Sequence, residues 1–187
     1  MRTFTMELKI RELVLRPVNH EDLLLLQSWH NSADYMLTCT TRCKPITFEE
    51  IEAKTRKRLF QFLVLHRSKG PVGTIFSNRV DFEKQQLFIT TFIEEKFRNT
   101  GYGPLALVRT VEYCFENYQF STVYFDVFAT SLNSKSCFDG GLDRLGVKLV
   151  DSFVENRRFN DTKVKTFRFS FSRESRSLLK PLLAGCS

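Results

Sequence analysis

Hydrophobic and polar positions change their period several times along this chain, and each change marks an element. Residues 8–18, "LKIRELVLRPV", are rich in aliphatic side chains and end at Pro17, which predicts a strand. Asn19 with Asp22 three residues on forms a helix start, and "EDLLLLQSWH" carries that helix to about His30. A loop through Cys39 and Pro45 follows. "TFEE", residues 47–50, is a capping box that opens a second helix running to about Leu59. "FQFLVLH" (60–66), "RSKGP" and "VGTIFS" then read as strand, turn and strand.

"QLFITTFIE" (86–94) is an apolar, β-branched strand. After Pro104, Leu105, Val108, Val111 and Phe115 recur at helical spacing. "STVYFDVFA" (121–129) predicts a strand, and "NSKSCFDGGLDRLG" a helix with a weakened middle that Gly146 can stop. "VKLVDSFV" and "VKTFRFSFS" close the pattern as two strands joined around Asn160 and Asp161. The order is β-α-α-β-β-β-α-β-α-β-β, which predicts a mixed α/β sheet in a single domain over residues 1–173. The tail, residues 174–187, is polar and then leucine-rich, and the pattern does not place it.

Composition narrows the class. With 187 residues, 42% hydrophobic, and 19 Phe, the chain can fill a core without metal or disulfide help. No run approaches the roughly 18 apolar residues of a membrane span, and "MRTFTMELKIRELVL" lacks the apolar stretch of a secretory signal. Five cysteines are an odd number without metal-site spacing, so reduced thiols, a cytoplasmic location and no metal are expected. The formal charge of +7 comes from Lys and Arg spread along the chain, so nucleic acid is not the expected partner. "KTRKR" (54–58) reads as a solvated helix face. A small polyanionic ligand is served equally well by that charge.

The segment "EEKFRNTGYGPLALVRTVEYC" (94–114) carries the chemistry. A strand ending in a Gly-rich turn that opens a helix is an anion site, because first-turn amides lack internal partners and the helix dipole is positive there. Gly101 and Gly103 let backbone approach phosphate oxygens, Pro104 suits the first helical turn, and Arg98 can add a charged contact. No G-x-x-x-x-G-K-[ST] string exists, so a P-loop is excluded. G-x-G-x-x-A is formally present through Ala106. However, it lies mid-chain behind a hairpin, and Asp126 falls inside the next strand, which fits a dinucleotide fold poorly.

"RNTGYG" after a strand resembles the acetyl-CoA pyrophosphate motif of the GNAT N-acetyltransferases, and the element order is similar to theirs over residues 8–171. "LNSKS" (132–136) resembles the family's N-x-x-S, and "RLG" (144–146) its closing L-G-[FV]. "LVLRPVNHEDLLLLQSWHNS" is similar to the opening of the RimJ/RimL-like subfamily, which acetylates ribosomal-protein N-termini, and of related antibiotic and sugar-amine acetyltransferases. The resemblance implies a mostly antiparallel, twisted GNAT sheet of about seven strands flanked by about four helices. It also implies direct transfer of acetyl, or another acyl group, from CoA to a primary amine on a small molecule or a protein N-terminus. Thr91 and Ile93 would pair with the pantetheine arm through their backbone. Arg98, Asn99, Thr100, Gly101, Tyr102 and Gly103 would hold the pyrophosphate. Asn133 would bond the arm, and Ser136 would sit near the thioester sulfur.

The chain departs from the family where residues 137–145 lack the Tyr that many members use as general acid and carry an extra Gly140-Gly141. Ser136 is the remaining hydroxyl, with a helix cap as its other reading. Glu94 and Glu95 beside the cofactor strand are the candidate bases, one of them facing the cleft by strand alternation. His30 can titrate near neutrality at a helix end. Cys137 reads as a buried thiol. The Thr-rich loop over residues 32–45 and "ENRRFN" (155–160) lean toward an anionic or peptide-like acceptor. A non-catalytic module on the same fold, binding acyl-CoA, RNA or protein, is the alternative from a different class, and turnover of any amine separates the two.

Overall fold

The computed structural model describes residues 8–10, 12–40, 44–129, 146–156 and 163–179. The aliphatic stretch at residues 8–18 is two strands rather than one. β1 (Leu8–Ile10) folds back antiparallel on β2 (Leu13–Pro17), which pairs an edge of β2 that would otherwise stay open. Asn19 and Asp22 cap each other's backbone as expected, over a short 3-10 turn that leads into α1 (Leu23–His30). α2 (Ala33–Thr38) takes the place of part of the expected loop; the Ser32 hydroxyl caps it by accepting from the Tyr35 amide. α3 (Phe48–Lys57) begins at the predicted Thr47–Glu50 capping box.

β3 (Gln61–His66), β4 (Gly70–Asp81) and β5 (Gln86–Ile93) form an antiparallel meander. α4 (Tyr102–Asn117) then crosses over to β6 (Thr122–Phe128), the kind of connection a parallel pair needs. β7 (Val147–Asn156) and β8 (Lys163–Ser172) complete one eight-stranded sheet in the order β1-β2-β3-β4-β5-β6-β8-β7. It is mixed and mostly antiparallel, with β5 and β6 its parallel pair. This is the predicted α/β class, with the split of residues 8–18 supplying the additional strand.

Each face of the sheet carries its own core. On one face α4 buries Leu107, Val111 and Phe115 against Leu15, Ile75, Leu87, Val123 and Phe171. On the other, α1 and α3 pack Leu26, Trp29 and Ile51 against Leu63 and Phe92. Strand alternation sorts β5 between them: Leu87, Ile89 and Ile93 face α4, while Phe92 faces α1. Full burial of each such side chain contributes roughly 1.5–3 kcal/mol.

After β8 the chain is fastened to the far end of α4. The Arg173 guanidinium donates to the carbonyls of Phe115 and Phe120, at 2.7 Å each, and of Tyr118, and Leu179 is buried. Among the described residues no helix is long and apolar enough to cross a membrane. The predicted last helix with Asn133, Ser136 and Cys137, the turn around Asn160 and the tail beyond Leu179 lie outside the described residues.

Candidate functional site

The parallel joint between β5 and β6 is short. It runs from Gln86 opposite Thr122 to Ile89 opposite Phe125 and goes no further. Beyond it the two strands part, so Thr90–Ile93 and Asp126–Phe128 become opposite walls of a cleft of about 840 Å³. Unpaired strand edges offer rows of backbone donors and acceptors to an extended ligand. The carbonyl of Thr91 accepts from Cys39 Sγ at 3.6 Å and that of Ile93 from Arg98 Nε at 3.0 Å. The hydroxyl of Thr91 is buried without a hydrogen-bond partner among the described residues. Thr91 and Ile93 therefore stand on the cleft edge.

At one end the cleft meets the N-terminus of α4. Asn99 and Gly101 both adopt left-handed backbone, φ 60° and 82°, which turns the chain sharply out of the strand. Gly101 is the N-cap and supplies no side chain to the first-turn amides, and that turn holds no carboxylate. Pro104 has no amide to satisfy. The amides of Tyr102 and Gly103 and the positive end of a sixteen-residue helix are thus left to the cleft.

Gly103 differs from Gly101. Its φ is ordinary, and a Cβ there would meet only Ile93 Cγ1 at 3.6 Å, a normal contact. Neither backbone strain nor crowding within the chain calls for glycine at that position. The space a side chain would fill opens onto the cleft.

The other predicted residues brace this turn. Arg98 donates Nη2 to both oxygens of Asp34, at 2.6 Å each, tying the turn to α2. Thr100 Oγ1 donates to the Phe97 carbonyl at 2.6 Å, and the Tyr102 hydroxyl accepts from Lys69 Nζ at 3.0 Å. Arg98 is thus a strut of the turn.

Glu94 and Glu95 are not brought into the cleft. β5 ends at Ile93 and the chain enters a 3-10 turn at Glu95, so strand alternation no longer governs where they point. Glu94 accepts from the Trp29 indole N–H and pairs with Lys96 at 2.7 Å, beside a separate shallow hollow, while Glu95 is exposed.

Other titratable groups do line the cleft. Asp126 receives Arg168 through both oxygens at 2.8 Å, and that hydrogen bonding raises the arginine's pKa further. Glu155 accepts the Thr166 hydroxyl at 3.0 Å. His30 packs its ring 4.1 Å from that of Tyr35, whose phenol burial pushes well above its ordinary value. Arg58, from the run read as a solvated face, also lines the cleft, and burial pushes its pKa down to about 10. Lys54 lies in the last turn of α3 and Arg58 is the extended residue that ends it, so spacing along the run gave no signal that either lines the cleft.

The sequence matches the family model described as Acetyltransferase (GNAT) domain over residues 12–138. No protein with a curated description matches it by sequence. In three dimensions the chain is similar to spermidine N-acetyltransferase from Vibrio cholerae, solved with CoA and spermine (TM-score 0.75, 16% identity, 89% of this chain and 98% of that one). It is similar to a GNAT-family acetyltransferase from Bacillus anthracis (TM-score 0.69, 17% identity, 90% and 99%). It is also similar to RimL, a ribosomal alpha-N-protein acetyltransferase (TM-score 0.70, 11% identity, 89% and 94%). At these identities the likeness is one of fold. The family match covers most of the chain, which therefore belongs to the GNAT acetyltransferase domain family as an N-acetyltransferase.

Proposed function

We propose that this protein moves an acetyl group from acetyl-CoA to a primary amine, with CoA lying in the gap between β5 and β6. The observation that carries this reading is the coincidence of two features in one cleft: strand edges that part after Ile89 and Phe125, and an uncapped helix N-terminus at its mouth. Amides from Asn99 to Gly103 take the pyrophosphate. The edge at Thr91 and Ile93 holds the pantetheine arm like an added strand, with the Thr91 hydroxyl gaining the partner it lacks. Asn133 bonds the arm and Ser136 sits at the sulfur, both beyond the described residues.

Acetyl-CoA supplies an acyl carbon already activated as a thioester. The protein's part is to hold an amine in line with that carbon, on the α1–α3 side of the sheet. The amine's proton leaves through Glu155, the cleft carboxylate that no guanidinium grips among the described residues. The acceptor is a small molecule or a protein N-terminus, the latter in keeping with the RimJ/RimL-like opening of the chain, and the setting is cytoplasmic.

Calorimetric titration with acetyl-CoA and with free CoA tests the reading. Both should bind with similar affinity, because the contacts lie on the shared nucleotide and arm, and high salt should weaken both. Failure of either to bind overturns it.

A labelling experiment locates the ligand independently. Cys39 lines the cleft against the Thr91 edge, so acetyl-CoA should slow its alkylation by iodoacetamide about tenfold or more at saturation. Cys114 is buried and its thiol pKa is pushed up by that burial, so it should resist alkylation with or without ligand. Peptide mass spectrometry reads each site separately. A Cys39 rate indifferent to acetyl-CoA would put the ligand elsewhere.

A further inference from the structure

The acceptor side of the cleft holds a charged group that the transfer described above does not use. Arg58 follows α3 and sets its guanidinium over the ring of Phe76, 3.6 Å from the centroid. Desolvation lowers its pKa to about 10. Arg56 in the same run is exposed and pairs with Glu52 at 2.8 Å. Arg58 has no carboxylate partner among the described residues. Its Nη1 donates to Gln61 Oε1 at 2.5 Å, and the guanidinium forms no other hydrogen bond within the described residues.

A buried polar relay fixes that contact. Gln61 and Thr74 are 6% and 0% exposed. Gln61 Oε1 also accepts from Thr55 Oγ1 at 3.1 Å, so two donors set the orientation of the amide. Its Nε2 donates to Thr74 Oγ1 at 3.3 Å, and that hydroxyl donates to the Phe62 carbonyl at 2.9 Å. The guanidinium is thereby held in place with donors left over, in the wall of the cleft. A desolvated cation with spare donors and a dedicated support is completed by an anion that enters from outside.

The cleft's own carboxylates do not fill that role: Asp126 is gripped by Arg168, and Glu155 is bonded to Thr166. With Asp126 neutralised by Arg168, Glu155 is left as a single carboxylate, too little to hold a polycation. We propose that Arg58 binds a carboxylate on the acceptor, so that the substrate is an amino acid or a similar small amine bearing a carboxylate. The planar fork of the guanidinium matches the two oxygens of a carboxylate. This inference rests on the N-acetyltransferase reading.

The test is kcat/KM of the intact protein with acetyl-CoA for the common L-amino acids, their primary amides and spermine. Amidation lowers the amine pKa and by itself favours the amide at neutral pH, so preference for the acid reports recognition of the carboxylate. At least one amino acid should exceed its amide by about 10- to 100-fold. Arg58→Met should abolish that preference and Arg58→Lys retain part of it, with calorimetric acetyl-CoA affinity showing that both variants keep the cleft. Amides or spermine used as well as acids, or a preference that survives Arg58→Met, would overturn the proposal. So would acetyl-CoA binding with no amino acid acetylated, which leaves the cofactor reading intact. A wild-type protein that binds no acetyl-CoA overturns the N-acetyltransferase reading itself.

Discussion

Replacing Gly103 with Glu should lower CoA affinity at least about 100-fold while leaving the protein as stable as before or more so. The opposite signs arise from one location. At the first turn of α4 a carboxylate meets the positive end of the helix and spare amides, an interaction worth about 0.3–1 kcal/mol to the fold. The turn has no acidic residue of its own, so this stabilisation is available. A helical glycine also costs about 1 kcal/mol relative to alanine, and the Cβ has room, with Ile93 Cγ1 at 3.6 Å. For a bound pyrophosphate the same carboxylate is a like charge occupying its space. Gly103→Ala isolates the steric part and should raise the melting temperature with a smaller loss of affinity. Isothermal titration with CoA and a thermal melt on each variant measure the two quantities. Undiminished CoA affinity in Gly103→Glu would sink the phosphate assignment.

Gly73→Ala should do the reverse and damage the fold first. Gly73 lies in β4 directly opposite Ile93, and a Cβ there would come within 2.1 Å of the Phe92 carbonyl oxygen and 2.8 Å of Ile93 Cδ1. The nearest obstacle is backbone, which cannot swing aside. A destabilisation of about 3 kcal/mol is expected, lowering the melting temperature by about 6–12 °C. Whatever relief the sheet finds must move the end of β5, so CoA affinity should fall as well. Gly70 offers the comparison: it needs its left-handed φ of 74° but has nothing within 4 Å, so alanine there meets only the backbone preference, about 1–2 kcal/mol. A Gly73→Ala protein that melts with the wild type would show that Ile93 is not held as described.

Local signals carried the reading of the chain a long way. The helix start at Asn19, the capping box at Thr47, the meander from Gln61 to Ile93 and the glycine-rich turn that opens the next helix were legible, because caps, alternation and glycine spacing are written in consecutive residues. α2 was not, since six residues are too few to display a period. The two glutamates were assigned by extrapolating alternation one step past a strand that ends at Ile93. Arg58 was taken as solvated because the run around it is basic; its guanidinium lies over Phe76, a residue of β4 that sequence cannot bring alongside. The cleft itself depends on where β5 and β6 stop pairing, a long-range property with no local mark.

That short parallel pairing has a meaning for the protein's lifetime. Among the described residues it is the backbone pairing that joins strands β1 to β5 with β6 to β8 within the sheet, and a ligand that bonds to the parted edges continues that pairing. Binding then adds cohesion between the two halves of the sheet, about 2.7 kcal/mol when the ligand stands at a hundred times its Kd. Proteases that cut transiently opened chains sense that difference. On the acetyl-CoA reading proposed above, the protein should therefore resist proteolysis better with acetyl-CoA than without it.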